Sequence, residues 1–247
     1  MPSDWISPCG IPYRVFPDGR IEVQGMGFPS YEGSAQVASQ ISAIWNKWGA
    51  YVVKGAQQSG LPQAWVLALI YIESGGKTGS TAPCTEKLCP ALWKTGGCAS
   101  TNVCAGGLVG FIASTAKMYG HDLSWYFIDG AHEGQMVVDG ADLLKQKIAA
   151  KGGDVLAGVK SYNGGRTCSD TGLATGPGLV GMYGQGDYVS KFIKVANSFV
   201  ALGLAPQAAS MGGTAGNVLA LLALGGVTWW LLESTGAGKR IVSGLRL

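Results

Sequence analysis

The sequence predicts a mainly α-helical domain with one small β-hairpin near its start and one hydrophobic helix near its end. Three observations predict it. From residue 34 onward, apolar side chains recur at intervals of three and four, the period of a helix packed along one side. Strand-like residues flanking a tight turn occur once, between Pro12 and Gln24. Residues 61–76, LPQAWVLALIYIESGG, form a helical stretch with almost no polar face, which marks a segment enclosed by its own domain.

In chain order, residues 1–33 are rich in Pro, Gly and Ser and read as an appended arm. Its hairpin runs from Pro12 to Phe16, through the turn Pro17-Asp18-Gly19, to Arg20–Gln24. A helical domain of residues 34–204 follows. Its first helix covers about 34–59 and turns Val37, Ile41, Ile44, Trp45, Trp48, Val52 and Val53 to one side, with Gly49 and Gly55 as weak points that allow a bend. The second covers 62–74: Pro62 suits a first helical turn, and Gly75-Gly76 accept the left-handed conformation that closes a helix. Trp45, Trp48 and Trp65 lie at helical spacing and read as core.

Residues 75–106 show little periodicity and read as a long loop. A glycine-rich turn, Ala105 to Phe111, leads into a short helix through Ser114, Thr115 and Ala116. A helix over 132–151 directs Met136, Val137, Leu143, Leu144 and Ile148 inward. Asp154 caps another that ends at Ser161-Tyr162-Asn163-Gly164-Gly165, and after a glycine-rich loop a last helix spans 188–204.

Charge excludes one class of partner. There are 18 basic against 15 acidic residues and only 13% of residues are charged, so there is no basic stripe for nucleic acid. Four of the six cysteines, Cys84, Cys89, Cys98 and Cys104, crowd into the long loop; Cys9 and Cys168 stand apart. An even, clustered set points to disulfides in an oxidising compartment, with a zinc site as the rival, although the spacings C-x4-C and C-x5-C are not those of a C-x2-C knuckle. The N-terminal MPSDWISPCG lacks the basic and apolar regions of a secretory signal. His121 and His132 have no ligand partners in sequence and read as surface residues.

Glu73 is the one acid of the apolar helix. Its neighbours strip it of water and the helix C-terminus places partial negative charge beside it; both favour the protonated carboxyl. A carboxyl held neutral near pH 7 can donate a proton.

Four blocks then carry a resemblance. Ala68-Leu69-Ile70-Tyr71-Ile72-Glu73-Ser74-Gly75, Gly107-Leu108-Val109-Gly110-Phe111 through Thr115-Ala116, Lys160-Ser161-Tyr162-Asn163-Gly164-Gly165, and Tyr188-Val189-Ser190-Lys191-Phe192-Ile193 are similar, in this order, to the four motifs of the soluble lytic transglycosylases. The resemblance covers roughly residues 36–202. It implies a lysozyme-like fold and cleavage of the β-1,4 bond between N-acetylmuramic acid and N-acetylglucosamine, with Glu73 as the general acid and no metal or cofactor. By the same resemblance Gly107 and Leu108 line the glycan groove, and Ser74 and Tyr162 hydrogen-bond near Glu73 and the acetamido group. Asn163 has two readings, a helix cap or a sugar contact. The family's groove glutamine falls on Gly110 and its proline on Ala113. No second carboxylate is evident, since Glu86, Asp122 and Asp129 all fall in predicted loops; the family's route then uses the substrate's own N-acetyl group and closes a 1,6-anhydro ring.

Beyond the domain, residues 205–214 read as a linker, 215–233 as a transmembrane helix and 234–247 as a short basic tail. No charged residue occurs from Val195 to Leu232, the Trp229-Trp230 pair suits a membrane interface, and Lys239, Arg240 and Arg246 suit the cytoplasmic side. The span is close to the lower limit of about 17 residues, and its rival is a short hydrophobic helix docked on another subunit. Together with the resemblance, this predicts a membrane-anchored enzyme with glycan strands as substrate. It fits a phage particle, among other virion proteins, acting on the host cell wall; a secretion or conjugation apparatus at the inner membrane is the alternative.

Overall fold

A computed structural model describes residues 4–6, 12–78, 105–163 and 188–204. All belong to the first of two units of the chain, Met1–Ala205; the second, Pro206–Leu247, lies outside them. The predicted linker, transmembrane helix and basic tail therefore fall outside the described residues, as do all six cysteines and Glu86. Among the described residues, no helix is long and apolar enough to cross a membrane.

The architecture is mainly helical with one two-stranded antiparallel sheet. Strands β1 (Tyr13–Val15) and β2 (Ile21–Val23) pair Tyr13 with Val23 and Val15 with Ile21. Then come α1 (Ala35–Ser59), α2 (Gln63–Ser74), α3 (Ala113–Met118), a 3-10 helix (Leu123–Phe127), α4 (Gly130–Ala149), α5 (Val155–Tyr162) and α6 (Tyr188–Ala201). α2 packs against α1 and α6, and α4 runs against α1 and α5.

The helix limits follow local chemistry. Ser34 accepts a hydrogen bond from the Val37 N–H at the start of α1, and Gly60, at φ 74°, closes it. Pro62 stands at the N-cap of α2, one residue outside the first turn where the sequence places it, and Gly75 at φ 63° ends the helix. α4 begins two residues before the predicted start because Asp129 caps it, accepting from the Ala131 and His132 N–H groups. The 3-10 helix is not anticipated from sequence; Leu123 and Tyr126 face inward three residues apart, the period of that helix. α1 is unbroken at Gly55, where the missing side chain instead allows close packing: a Cβ there would lie 3.2 Å from Ala141 Cβ and 3.3 Å from Val138 Cα of α4.

The core surrounds α2, whose residues Ala64, Trp65, Val66, Leu67, Ala68, Leu69 and Ile70 are all buried. Trp48 and Trp65 are 3% and 5% exposed, as core residues should be, and Trp45 packs on the core from its edge.

The N-terminal segment is more than the appended arm that the sequence predicts. Tyr13, Ile21 and Val23 are wholly buried in the same core. Trp65 Nε1 donates to the Gly19 carbonyl at 2.7 Å, and the Tyr13 hydroxyl donates to Asp154 at 2.6 Å, joining β1 to the cap of α5. Asn197 of α6 accepts from the Ile21 N–H and donates to the Ile21 and Pro29 carbonyls. A strand this short cannot stabilise a hairpin by itself, so the hairpin holds its shape by sharing the helical core.

Asn197→Ala leaves one N–H and two carbonyls without that partner, a loss of roughly 2–4 kcal/mol. Urea denaturation measures it; an unchanged midpoint would show that the Asn197 hydrogen bonds do not hold the hairpin.

Candidate active site

Glu73 is the penultimate residue of α2. The buried run before it fixes the helix, and the side chain emerges half-buried where that burial ends. Three other segments meet it there.

The first is the turn between Gly106 and Phe111, closed by reciprocal backbone hydrogen bonds of 2.8 and 2.9 Å. Its Gly110 has φ 67° and lies directly against the carboxyl, such that a Cβ would stand 2.3 Å from Glu73 Oε2. Only glycine accepts both that conformation and that contact without strain. The turn is pinned from beneath: Val109 packs over Gly140 of α4, and Phe111 stacks on Tyr119 and meets Tyr126 edge-on. Tyr126 donates to Asp139 at 2.6 Å and Tyr119 to Asp142 at 3.1 Å, which ties these rings to α4.

The second segment is the end of α5, where the Tyr162 hydroxyl donates to the Val109 carbonyl at 2.9 Å. The third is the first residue of α6, Tyr188, whose hydroxyl donates to Glu73 Oε1. Burial, followed by the charge of Glu73, raises both phenols well above their ordinary range. Tyr188 therefore stays protonated and remains a donor.

Ser74 braces the same corner. Its hydroxyl lies 3.0 Å from the Leu108 carbonyl and 3.1 Å from that of Ile70, and accepts from the Gly76 N–H.

The residues named from sequence thus divide. Glu73 is central. Ser74 and Tyr162 adjoin it, but their hydroxyls brace the turn, and the phenol bonded to Glu73 is Tyr188. Leu108 and Gly107 are buried, with the Leu108 side chain in the core and Gly107 against Met136, so they build the turn and offer no open groove wall. Asn163 occupies the C-cap of α5 at φ −76°, outside the left-handed region, with its side chain exposed. Asp129 caps α4 and Asp122 stands at the start of the 3-10 helix. His121 and His132 are half-buried around Trp125, His121 stacked on it at 3.6 Å.

Tyr188 was missed because the sequence shows it only as a helix start. Its signal was position: a phenol opening the fourth block, after a glycine-rich loop.

Burial raises the Glu73 pKa from 4.5 to about 6, and the Tyr188 hydrogen bond holds it from going higher. Among the described residues, no group of three or more His, Cys, Asp or Glu is arranged to hold a metal ion. Comparison of the chain with protein-family models, with curated proteins and with solved structures finds no match.

A carboxyl whose pKa is higher when folded favours the unfolded state once it ionises. Its destabilising effect is absent below pH 4.5, grows up to about pH 6 and is constant above, reaching on the order of 2 kcal/mol. Glu73→Gln, which keeps the acceptor for Tyr188, is therefore expected to raise thermal stability at pH 8 and leave it nearly unchanged at pH 4. Paired melting curves at the two pH values check this; equal shifts at both would mean that the carboxyl is well solvated.

Proposed function

We propose that the chain is a peptidoglycan lytic transglycosylase of lysozyme-like fold, with Glu73 as its general acid. One observation carries the reading: the four sequence blocks, far apart in the chain, meet around a single carboxyl. Block one supplies Glu73, block two presses Gly110 on Oε2, block three ties down the turn through Tyr162, and block four holds Oε1 through Tyr188.

The chemistry suits such a site. Protonated Glu73 gives its proton to the glycosidic oxygen as the C1–O bond breaks, and positive charge develops at the muramic C1. The substrate's N-acetyl oxygen stabilises that centre. Glu73, now a carboxylate, takes the proton of the muramic C6 hydroxyl, whose oxygen bonds to C1 and closes the 1,6-anhydro ring. The proton that left Glu73 is thereby replaced, and water is not consumed. Burial and Tyr188 account for the titration of Glu73, with no contribution from a second carboxylate among the described residues. That favours the anhydro route over the hydrolytic one, which uses a partner acid.

Glu73→Gln is expected to lower turbidity loss on purified cell walls by at least about a hundredfold, the lower range for a general acid. An inert wild type, or an equally active variant, would refute the reading. Mass spectrometry of the products separates anhydro from reducing ends by one water, and predominantly reducing ends would make the protein a hydrolase.

We infer from sequence that residues 215–233 anchor this domain in a membrane, as part of a phage entry apparatus, with wall glycan as substrate and other virion proteins as neighbours. Truncation after Gln207 is expected to keep wall cleavage while releasing the protein from membranes without detergent. An aggregated, inactive truncation would place the segment in the domain core.

A further inference from the structure

We propose that Gly110 is a positioning residue for the acid: its bare backbone seats Glu73 Oε2 while Tyr188 holds Oε1, so that one defined oxygen carries the proton. This rests on the proposed function above and deepens it.

The geometry is specific. A Cβ at residue 110 would stand 2.3 Å from Oε2 and 3.0 Å from Cδ, so the carboxyl lies over the α-carbon itself. Tyr188 donates to Oε1, and the carbonyl-type oxygen of a neutral acid is its better acceptor, which favours Oε2 as the oxygen that carries the proton. Gly106, Gly107, Leu108 and Val109 are buried, whereas Gly110 is partly exposed. Oε2 therefore rests against the one residue of Gly106–Gly110 that is not fully buried, at the edge of the turn. The turn is held in place, because Ser74 bonds the Leu108 carbonyl and Tyr162 the Val109 carbonyl on the two residues preceding Gly110. A side chain here would push the carboxyl off its seat and out of hydrogen-bond reach of Tyr188. The titratable groups facing Glu73 are Tyr188 from α6 and Tyr162 from α5.

The test compares Gly110→Ala with Gly120→Ala in the full chain. Both place a side chain on left-handed backbone, at φ 67° and 80°, but nothing lies within 4 Å of the added carbon at 120. Backbone strain is common to both, and only the first meets Glu73. Carbon-13 NMR of the Glu73 carboxyl should give a midpoint of about 6 in the wild type and in Gly120→Ala. In Gly110→Ala the carboxyl turns outward to water, and the midpoint falls toward the ordinary carboxylate value. The basic limb of the pH profile for wall cleavage should move with it, and kcat should fall at least about tenfold with little change in KM.

An unshifted Gly110→Ala midpoint overturns the proposal. A shifted midpoint in a protein whose wild type leaves walls intact supports the seat and overturns the enzymatic reading. Should Gly110→Ala be too unstable to titrate, Glu73→Ala is added to each alanine variant. Measured at pH 4, where loss of the carboxyl charge contributes nothing, the second change restores more stability at 110 than at 120 if the seat is real; equal effects at the two positions overturn it.

Discussion

The structure depends on one constraint: a carboxyl sits at the end of a helix that has no freedom to move. Seven consecutive buried residues of α2, Ala64 to Ile70, lock the helix among α1, α6 and α4. Withdrawing even one of its large side chains from the core would cost about 1.5–3 kcal/mol, so the helix end is fixed to within side-chain rotation of Glu73. Left-handed Gly75 then turns the chain away and leaves the acid at the boundary between core and solvent. Position and desolvation therefore have one cause.

What remains free is the rotation of the carboxyl, and the other segments remove it. They do so chiefly with backbone. Leu108 and Val109 present carbonyls to Ser74 and Tyr162, and Gly110 presents its α-carbon to Oε2. Side-chain contacts at the back of the turn, from Phe111 through Tyr119 and Tyr126 to the α4 carboxylates, fix its height. A wall made of main chain tolerates changes of sequence so long as the turn keeps its shape. The acid here is oriented by contact below and a phenol beside it.

The legible parts of the molecule are those set by local rules. Helix limits at Ser34, Gly60, Gly75 and Asp154 follow from capping and glycine conformation, and burial of α2 follows from its composition. Glu73 was legible as the one acid of an otherwise apolar helix. The roles of Tyr162 and Tyr188 were not, because which phenol reaches a carboxyl depends on how α5 and α6 dock, and that is a long-range property. The hairpin is legible as a hairpin, but its share in the helical core is not, for a similar reason. Nothing in residues 12–24 discloses that Asn197, some 170 positions later, supplies hydrogen bonds to Ile21 and Pro29. Leu108 and Gly107 look exposed in a glycine-rich string, yet Met136, 29 residues beyond Gly107, covers the glycine.

The two influences on Glu73 act in opposite directions, and the difference between them suits the proposed reaction, in which the acid would also serve as a base. Burial alone would hold the proton too tightly to release it to an ether oxygen and would make the carboxylate costly. The Tyr188 hydroxyl stabilises the carboxylate and limits the rise, leaving the pKa at about 6. At pH 7 about a tenth of molecules then carry the proton that the proposed reaction would use. Once the proton is spent, the phenol is already in place for the carboxylate that remains. That carboxylate needs only to be basic enough to deprotonate a hydroxyl as its oxygen bonds to carbon, a demand a pKa near neutrality meets better than one near 4. A single residue can fill both roles only if it is held in one place throughout, and the packing of α2, Gly110 and Tyr188 provides that.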